Sequence, residues 1–246
     1  MGTKAKNSAV RNFLHVGLSW AQASELAKSP YVELKNAGGY IVPAHQAGNA
    51  ATWSQSGTVV TVTSTAHTIP ATTYDGYKVY FSSATTTGMP LAAGLYENFT
   101  RTGTGTYTFT VPATLSQTAT GTATTNTTET VIPDLTAAMP ANTMGVTSKL
   151  KYTVASSNNN NAGTKTVKLY VSTAVLGTIT TTTAIFGNMV TDYWFNRNSL
   201  AKNVVQSTGV STTINMGAAQ NITVSVTNSA ADQFVAVDSV IVELLV

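Results

Sequence analysis

Large apolar and polar residues alternate along most of the chain, which is the period of a half-buried strand. Tyr107-Thr108-Phe109-Thr110-Val111, Leu150-Lys151-Tyr152-Thr153-Val154 and Ile222-Thr223-Val224-Ser225-Val226 show it plainly. Residues 77–82, 166–171 and 234–245 continue it, and Thr58-Val59-Val60-Thr61-Val62-Thr63 adds a β-branched run that a helix tolerates poorly. Gly57, Asp75-Gly76 and the glycines of residues 88–90 and 103–105 punctuate these segments as turns. Helical spacing is confined to the start: residues 10–15 and 19–28 are rich in helix formers, and Trp20, Ala23, Leu26 and Ala27 share a face before Ser29-Pro30 stops the segment. Strands never alternate with helices, so a nucleotide-binding α/β fold is disfavoured. The pattern predicts an all-β chain with a short helical N-terminal arm.

Four regions follow. Residues 1–51 read as the arm, whose second half, from residue 31, is irregular around Gly38-Gly39 and Pro43 with one apolar run at residues 40–42. Residues 52–111 read as a small β-barrel or sandwich. Residues 112–140 form a Thr-rich connector, of which residues 112–131 carry almost no bulky apolar side chain and cannot build a core of their own. It is either a linker or an extended strand that borrows partners from its neighbours or from another subunit. Residues 141–246 read as an antiparallel, jelly-roll-like sandwich with strands about 10 residues apart.

Composition changes the picture from fold to working life. Charged residues are 9% of the chain, against about 25% in ordinary soluble domains, while 43% are hydrophobic and the formal charge is +3. That combination excludes disorder, and a surface with so little charge repulsion suits a protein packed against neighbours. Cations are spread thinly, Lys4, Lys6 and Arg11 being the nearest to a cluster, so no nucleic acid is expected as partner. There is no cysteine and hence no disulfide or thiolate site. No apolar run approaches the roughly 20 residues of a membrane span, and no signal peptide is evident. Cytoplasmic synthesis without export is the expectation, which makes the Asn98, Asn126 and Asn221 sequons chance products of a Thr-rich chain.

Asn160-Asn161-Ala162-Gly163-Thr164-Lys165-Thr166-Val167-Lys168-Leu169-Tyr170-Val171 resembles a pattern of tailed-bacteriophage virion proteins, in which small polar residues lead into a Lys-Thr-rich strand. The order continues with the turn Asn196-Arg197-Asn198-Ser199, a strand at residues 222–226, the turn Ala230-Ala231-Asp232 and a closing strand through Val240-Ile241-Val242-Glu243-Leu244. Together these cover roughly residues 145–246. Gly57-Thr58-Val59-Val60-Thr61-Val62-Thr63-Ser64-Thr65-Ala66-His67 is similar to the opening of small β modules in phage structural proteins, although Thr68-Ile69-Pro70 replaces their usual glycine continuation. The resemblance implies a jelly-roll module and a structural accessory protein of the virion, made in the host bacterial cytoplasm. It would decorate the capsid or belong to the neck or tail, with other virion proteins as partners. Proteins of this kind are often trimers, so a homo-oligomer is implied. The alternative implied function is a receptor-binding tail-fibre module, with the loops at residues 158–161 and 180–183 recognising host surface glycans.

Catalytic chemistry finds little support. His15, His45 and His67 lack a nucleophile-elbow context. Asp75, Asp134, Asp192, Asp232 and Asp238 fall at expected turns or strand ends, where Asp bonds to nearby amides, and glycan cleavage would need two carboxylates facing each other. No spaced Asp loop suggests calcium. The expectation is no enzyme, no cofactor and no metal. An interaction surface is best placed at Tyr193-Trp194-Phe195 with Arg197, since aromatic and Arg residues are enriched at interfaces. The competing reading turns two of those three rings into the core. Trp20 and Trp53 stand as further interface candidates and equally as packing anchors.

Overall fold

The computed structural model describes residues 31–43, 51–63, 72–81, 94–112, 120–123, 129–159, 163–183, 185–229 and 233–245. The expected helical arm, with Trp20, lies outside them, as do His15, His45, His67 and the Ala230-Ala231-Asp232 turn. Every regular element among the described residues is a strand or a short 3-10 turn. The first half of the chain contributes β1 (Tyr31–Ala37), β2 (Tyr40–Pro43), β3 (Ala51–Ser56), β4 (Val59–Thr63), β5 (Lys78–Phe81), β6 (Gly94–Gly103), β7 (Thr106–Thr110) and β8 (Thr120–Ala123). The second contributes β9 (Thr130–Val131), β10 (Ala137–Met139), β11 (Lys149–Asn158), β12 (Lys165–Val171), β13 (Ala174–Thr181), β14 (Ile185–Asn196), β15 (Asn203–Val205), β16 (Ser211–Thr212), β17 (Gln220–Asn228) and β18 (Phe234–Leu245).

Two sheets hold these strands. The larger is 13-stranded, ordered β16-β15-β14-β11-β18-β2-β5-β6-β7-β4-β3-β8, with β1 also on β18. The smaller is five-stranded, ordered β10-β17-β12-β13, with β9 beside β10 on β17. Their facing sides enclose one core, to which Leu150, Tyr152, Leu169, Trp194 and Val224 contribute. Strand β12 shows how alternation builds it: Lys165, Val167, Leu169 and Val171 point inward and the residues between them outward.

Residues 31–43, read from the sequence as arm, are strands of the large sheet. β1 pairs with residues 240–245 of β18 and β2 with residues 234–237, so the two succeed each other along one edge of that strand. The step between them falls at Gly38-Gly39, opposite a bulge that leaves Asp238 unpaired between Val237 and Ser239 on β11. A Cβ on Gly38 would sit 2.1 Å from the Asp238 carbonyl oxygen, a distance only glycine avoids. β2 then pairs in parallel with β5, which carries the sheet into the first module. Residues 120–123 of the Thr-rich connector extend the far edge as β8 on β3.

Two strands are buried on both faces. Val235 and Val237 enter the sandwich core, whereas Phe234 and Ala236 join Ile41, Tyr74, Phe99 and Phe109 in a second core under the first module. The continuous apolar text of β2 and of the start of β18 follows from this double burial. Phe234 is fully buried and its ring lies 5.4 Å from Tyr74 and 5.9 Å from Phe99. Its removal would cost about 3–5 kcal/mol and would loosen both modules at once.

Candidate assembly surface

The structure separates the aromatic cluster by strand alternation. Trp194 faces inward between Leu150 of β11 and Val205 of β15, is 0% exposed, and donates its Nε1–H to Thr212 Oγ1 at 3.3 Å. Tyr193 and Phe195 lie on the opposite, outer face. One ring of the three is therefore core, not two, and Trp194 is not available to a partner. Asp192, two residues earlier on the same inward row, is a buried carboxylate. Trp53 is likewise enclosed, in the core of the first module, which supports its reading as a packing anchor rather than an interface residue. Arg197 is exposed in the turn from β14 to β15.

The outer face of the large sheet carries an exposed apolar side chain, Met189, and the half-buried Tyr193, Phe195, Ile241 and Leu245. In register across β14, β11 and β18 stand Phe195, Lys149 and Leu245; then Tyr193, Lys151 and Glu243; then Thr191, Thr153 and Ile241; then Met189, Ala155 and Ser239. Glu33 and Asn36 of β1 extend the second and third rows. Met189 is 62% exposed. Side-chain contacts across these rows include Lys151 to Glu243 at 2.8 Å, Thr153 Oγ1 to Thr191 Oγ1 at 2.9 Å, Asn36 Nδ2 to Glu33 Oε2 at 3.1 Å, and Lys149 Nζ 5.8 Å over the Phe195 ring. The first module covers this same face around Phe234 and Ala236 and leaves it open beyond the Asp238 bulge.

At the boundary sits a polar knot. Asp238 accepts from Ser157 Oγ at 2.6 Å and from the Tyr77 hydroxyl at 3.3 Å, and Ser157 Oγ accepts from Gly187 N–H at 2.9 Å. Burial raises the Asp238 carboxyl, partly opposed by those two hydrogen bonds. Burial first, then the carboxylate, pushes the Tyr77 hydroxyl up to about 12. Every oxygen of the knot is engaged, so its chemistry is structural.

Two other carboxylates are also tied into the fold. Asp192 accepts from the Ser207 amide at 3.2 Å, the Ser207 hydroxyl, the Tyr152 hydroxyl at 3.3 Å and the Tyr193 amide at 2.7 Å. Glu129, just before β9, spans the outer side of the five-stranded sheet, accepting from Ser225 Oγ at 2.6 Å, Tyr170 Oη at 2.5 Å and Lys168 Nζ at 3.1 Å. Burial raises its carboxyl, but the three hydrogen bonds together with the lysine charge outweigh that and hold it below the ordinary range.

Glu97 and Asp134 come together around the Lys78 ammonium, at 3.2 and 3.9 Å. Their side chains are 56% and 48% exposed, unlike the apolar pocket that keeps a glycosidase acid protonated. Of the loops expected to meet glycans, Thr180, Thr182 and Thr183 are exposed, whereas other members are packed into the fold. Asn158 and Asn159 are buried: Asn158 donates to Thr183 O at 2.5 Å and accepts from Thr181 Oγ1 at 2.7 Å, while Asn159 Oδ1 accepts the Phe234 amide at 2.9 Å. Together with Lys165 and Asn228, which are paired in register, they close one end of the sandwich. Residues 160–162 lie outside the described residues. Among the described residues no group of three or more His, Cys, Asp or Glu is placed to hold a metal, and no helix is long and apolar enough to cross a membrane.

No protein-family model matches the chain, and no curated protein matches it. Among solved structures it is similar to a Stig cyclase, Fisc from Fischerella sp. TAU, in complex with (3Z)-3-(1-methyl-2-pyrrolidinylidene)-3H-indole. The two are 13% identical over 78% of this chain and 88% of that one, with a TM-score of 0.26, a level of likeness that carries no argument.

Proposed function

We propose that this chain is a structural accessory protein of a tailed-phage virion, a capsid decoration or a neck or tail component. It acts by assembly, and its copies associate with one another through the open outer face of the large sheet. In this reading residues 141–246 form the jelly-roll-like module and residues 1–30 dock on the particle. The observation that carries the proposal is that open face, where Met189, Tyr193, Phe195, Ile241 and Leu245 stand in register, interleaved with Lys149, Lys151 and Glu243. Partly exposed aromatic and aliphatic groups in rows of this kind are what a protein partner covers. The low charge of the whole chain, 9% of residues, supports the same conclusion. So do the phage-like motifs of residues 145–246.

Particles purified from cells that express the chain test the proposal. Mass spectrometry should find it in them at a fixed ratio to the major structural protein, and Phe195→Asp should lower that ratio. Absence from purified particles would overturn it.

A further inference from the structure

The described lysines and arginines are nearly all engaged. Lys78, Lys151 and Lys168 form ion pairs. Lys35 donates to the carbonyls of Asp134 and Thr136, and Arg101 donates to Thr104 Oγ1 at 3.4 Å. Lys149 lies over the Phe195 ring and Lys165 is buried at the sandwich end. Among the described lysines and arginines, only the side chains of Arg197 and Lys202 have no partner.

These two cations stand together. The Arg197 amide donates to the Lys202 carbonyl at 2.8 Å, closing the turn between β14 and β15. Both side chains line one cleft of about 390 Å³, within the range of small-molecule sites. Its other walls are Asn203, Val204, Ser211, Thr212 and Thr213, with no carboxylate among them. The described carboxylates elsewhere are all occupied, Glu33 by Asn36, Asp75 by the Arg101 amide, and the others by the partners described above. This chain therefore supplies no described counter-charge to the cleft.

The floor is preorganised. Asn203 is 1% exposed; its amide donates to Asn196 Oδ1 at 2.7 Å and its carbonyl accepts from Thr212 Oγ1 at 3.1 Å. Thr212 is held in turn by the Trp194 indole. Above this floor the Arg197 fork matches a carboxylate or phosphate, Lys202 adds a second charge, and the Ser211 and Thr213 hydroxyls can bond to neighbouring hydroxyls of a ligand.

We propose that this cleft binds a hydroxylated small molecule bearing one oxyanion, such as a uronic acid or a sugar phosphate. The site works whether or not the chain assembles. Titrations of the full chain with glucuronic acid, glucose 6-phosphate, glucose and inorganic phosphate, followed in ¹H–¹⁵N spectra, test it. At least one of the two sugar anions should bind saturably, with shifts at Arg197, Thr212 and Thr213, and should weaken as salt is raised. Whichever binds identifies the carboxylate or the phosphate as the group recognised. Glucose should bind about tenfold or more weakly, and the Arg197→Ala, Lys202→Ala double variant should lose about tenfold or more, equivalent to about 1.4 kcal/mol. The variant should melt with the wild type, since neither side chain has a partner to lose among the described residues. Failure of both sugar anions to bind, equal binding by the double variant, or inorganic phosphate binding as tightly as either sugar anion would overturn the proposal.

Discussion

The ring of Tyr152 lies so close to Gly177 that a methyl group on residue 177 would sit 2.9 Å from its Cε2. Leu176 is the extra residue of a bulge in β13, where Leu169 pairs with Gly177 and Tyr170 with Val175. The Leu176 carbonyl accepts the Tyr152 hydroxyl, which also reaches Asp192. One side chain of the large sheet thereby fastens the free edge of the small one.

Gly177→Ala should destabilise the chain by about 1–3 kcal/mol, because the buried ring has no room to retreat. Tyr152→Phe keeps the ring and loses the hydroxyl, at a cost of about 1–2 kcal/mol from the unpaired groups left behind. Urea unfolding of the two variants checks both. A neutral Gly177→Ala would show that the two sheets do not approach as described.

Asp238 and Glu129 should give opposite pH slopes. The raised Asp238 carboxyl holds a proton more readily in the folded chain than in the unfolded one. Its contribution is therefore full below the unfolded value and declines as pH rises through the folded value. Asp238→Asn removes that decline, so the variant should gain on the wild type as pH rises above about 4, the unfolded carboxyl value, read from urea midpoints.

The Glu129 carboxyl is held low, so its contribution is present above the unfolded value and lost as pH falls through the folded one. Glu129→Gln should cost about 1 kcal/mol near neutrality, as expected for hydrogen bonds to a charged group discounted for a side chain 37% exposed. The difference should vanish in acid. A pH-independent difference would mean that the carboxylate charge plays no part in holding β9 to the sheet.

Alkali should reveal the burial of the tyrosines. Tyr107 and Tyr152 are raised chiefly by burial, and Tyr77 to about 12. These groups keep their protons longer in the folded chain, so stability should fall as pH climbs from about 10. Tyrosinate absorbance should appear together with loss of the β-sheet circular dichroism. Full ionisation with the sheet signal intact would contradict the burial of these rings.

Several strands are legible, some because one face is buried and the other is not, others because a run of apolar residues is buried on both faces. Residues 165–171 and 106–110 alternate along their length, and the expected strands at residues 150–154, 222–226 and 234–245 lie within β11, β17 and β18. β1 was hidden because the bulge between Glu33 and Lys35 breaks its alternation. β8 was hidden because Thr-Gly-Thr-Ala offers no bulky side chain. The inward phase of Trp194 is not legible in the sequence, since Asp192 is an acid on the same inward row and no sequence pattern announces one there. The outer rows of Phe195, Tyr193 and Met189 emerge only from pairing with β11 and β18, which is long-range information. The unpaired state of Arg197 and Lys202 depends equally on where the other charges fall.

The most direct test of the assembly account is sedimentation velocity of the purified wild-type chain beside Phe195→Asp and Met189→Asp, all at micromolar concentration. Both residues lie on the open face and outside either core, so the variants should keep the wild-type circular dichroism. The account predicts a homo-oligomer for the wild type and a shift to monomer for the variants. A wild type that sediments as a monomer, or variants that associate as it does, would contradict it.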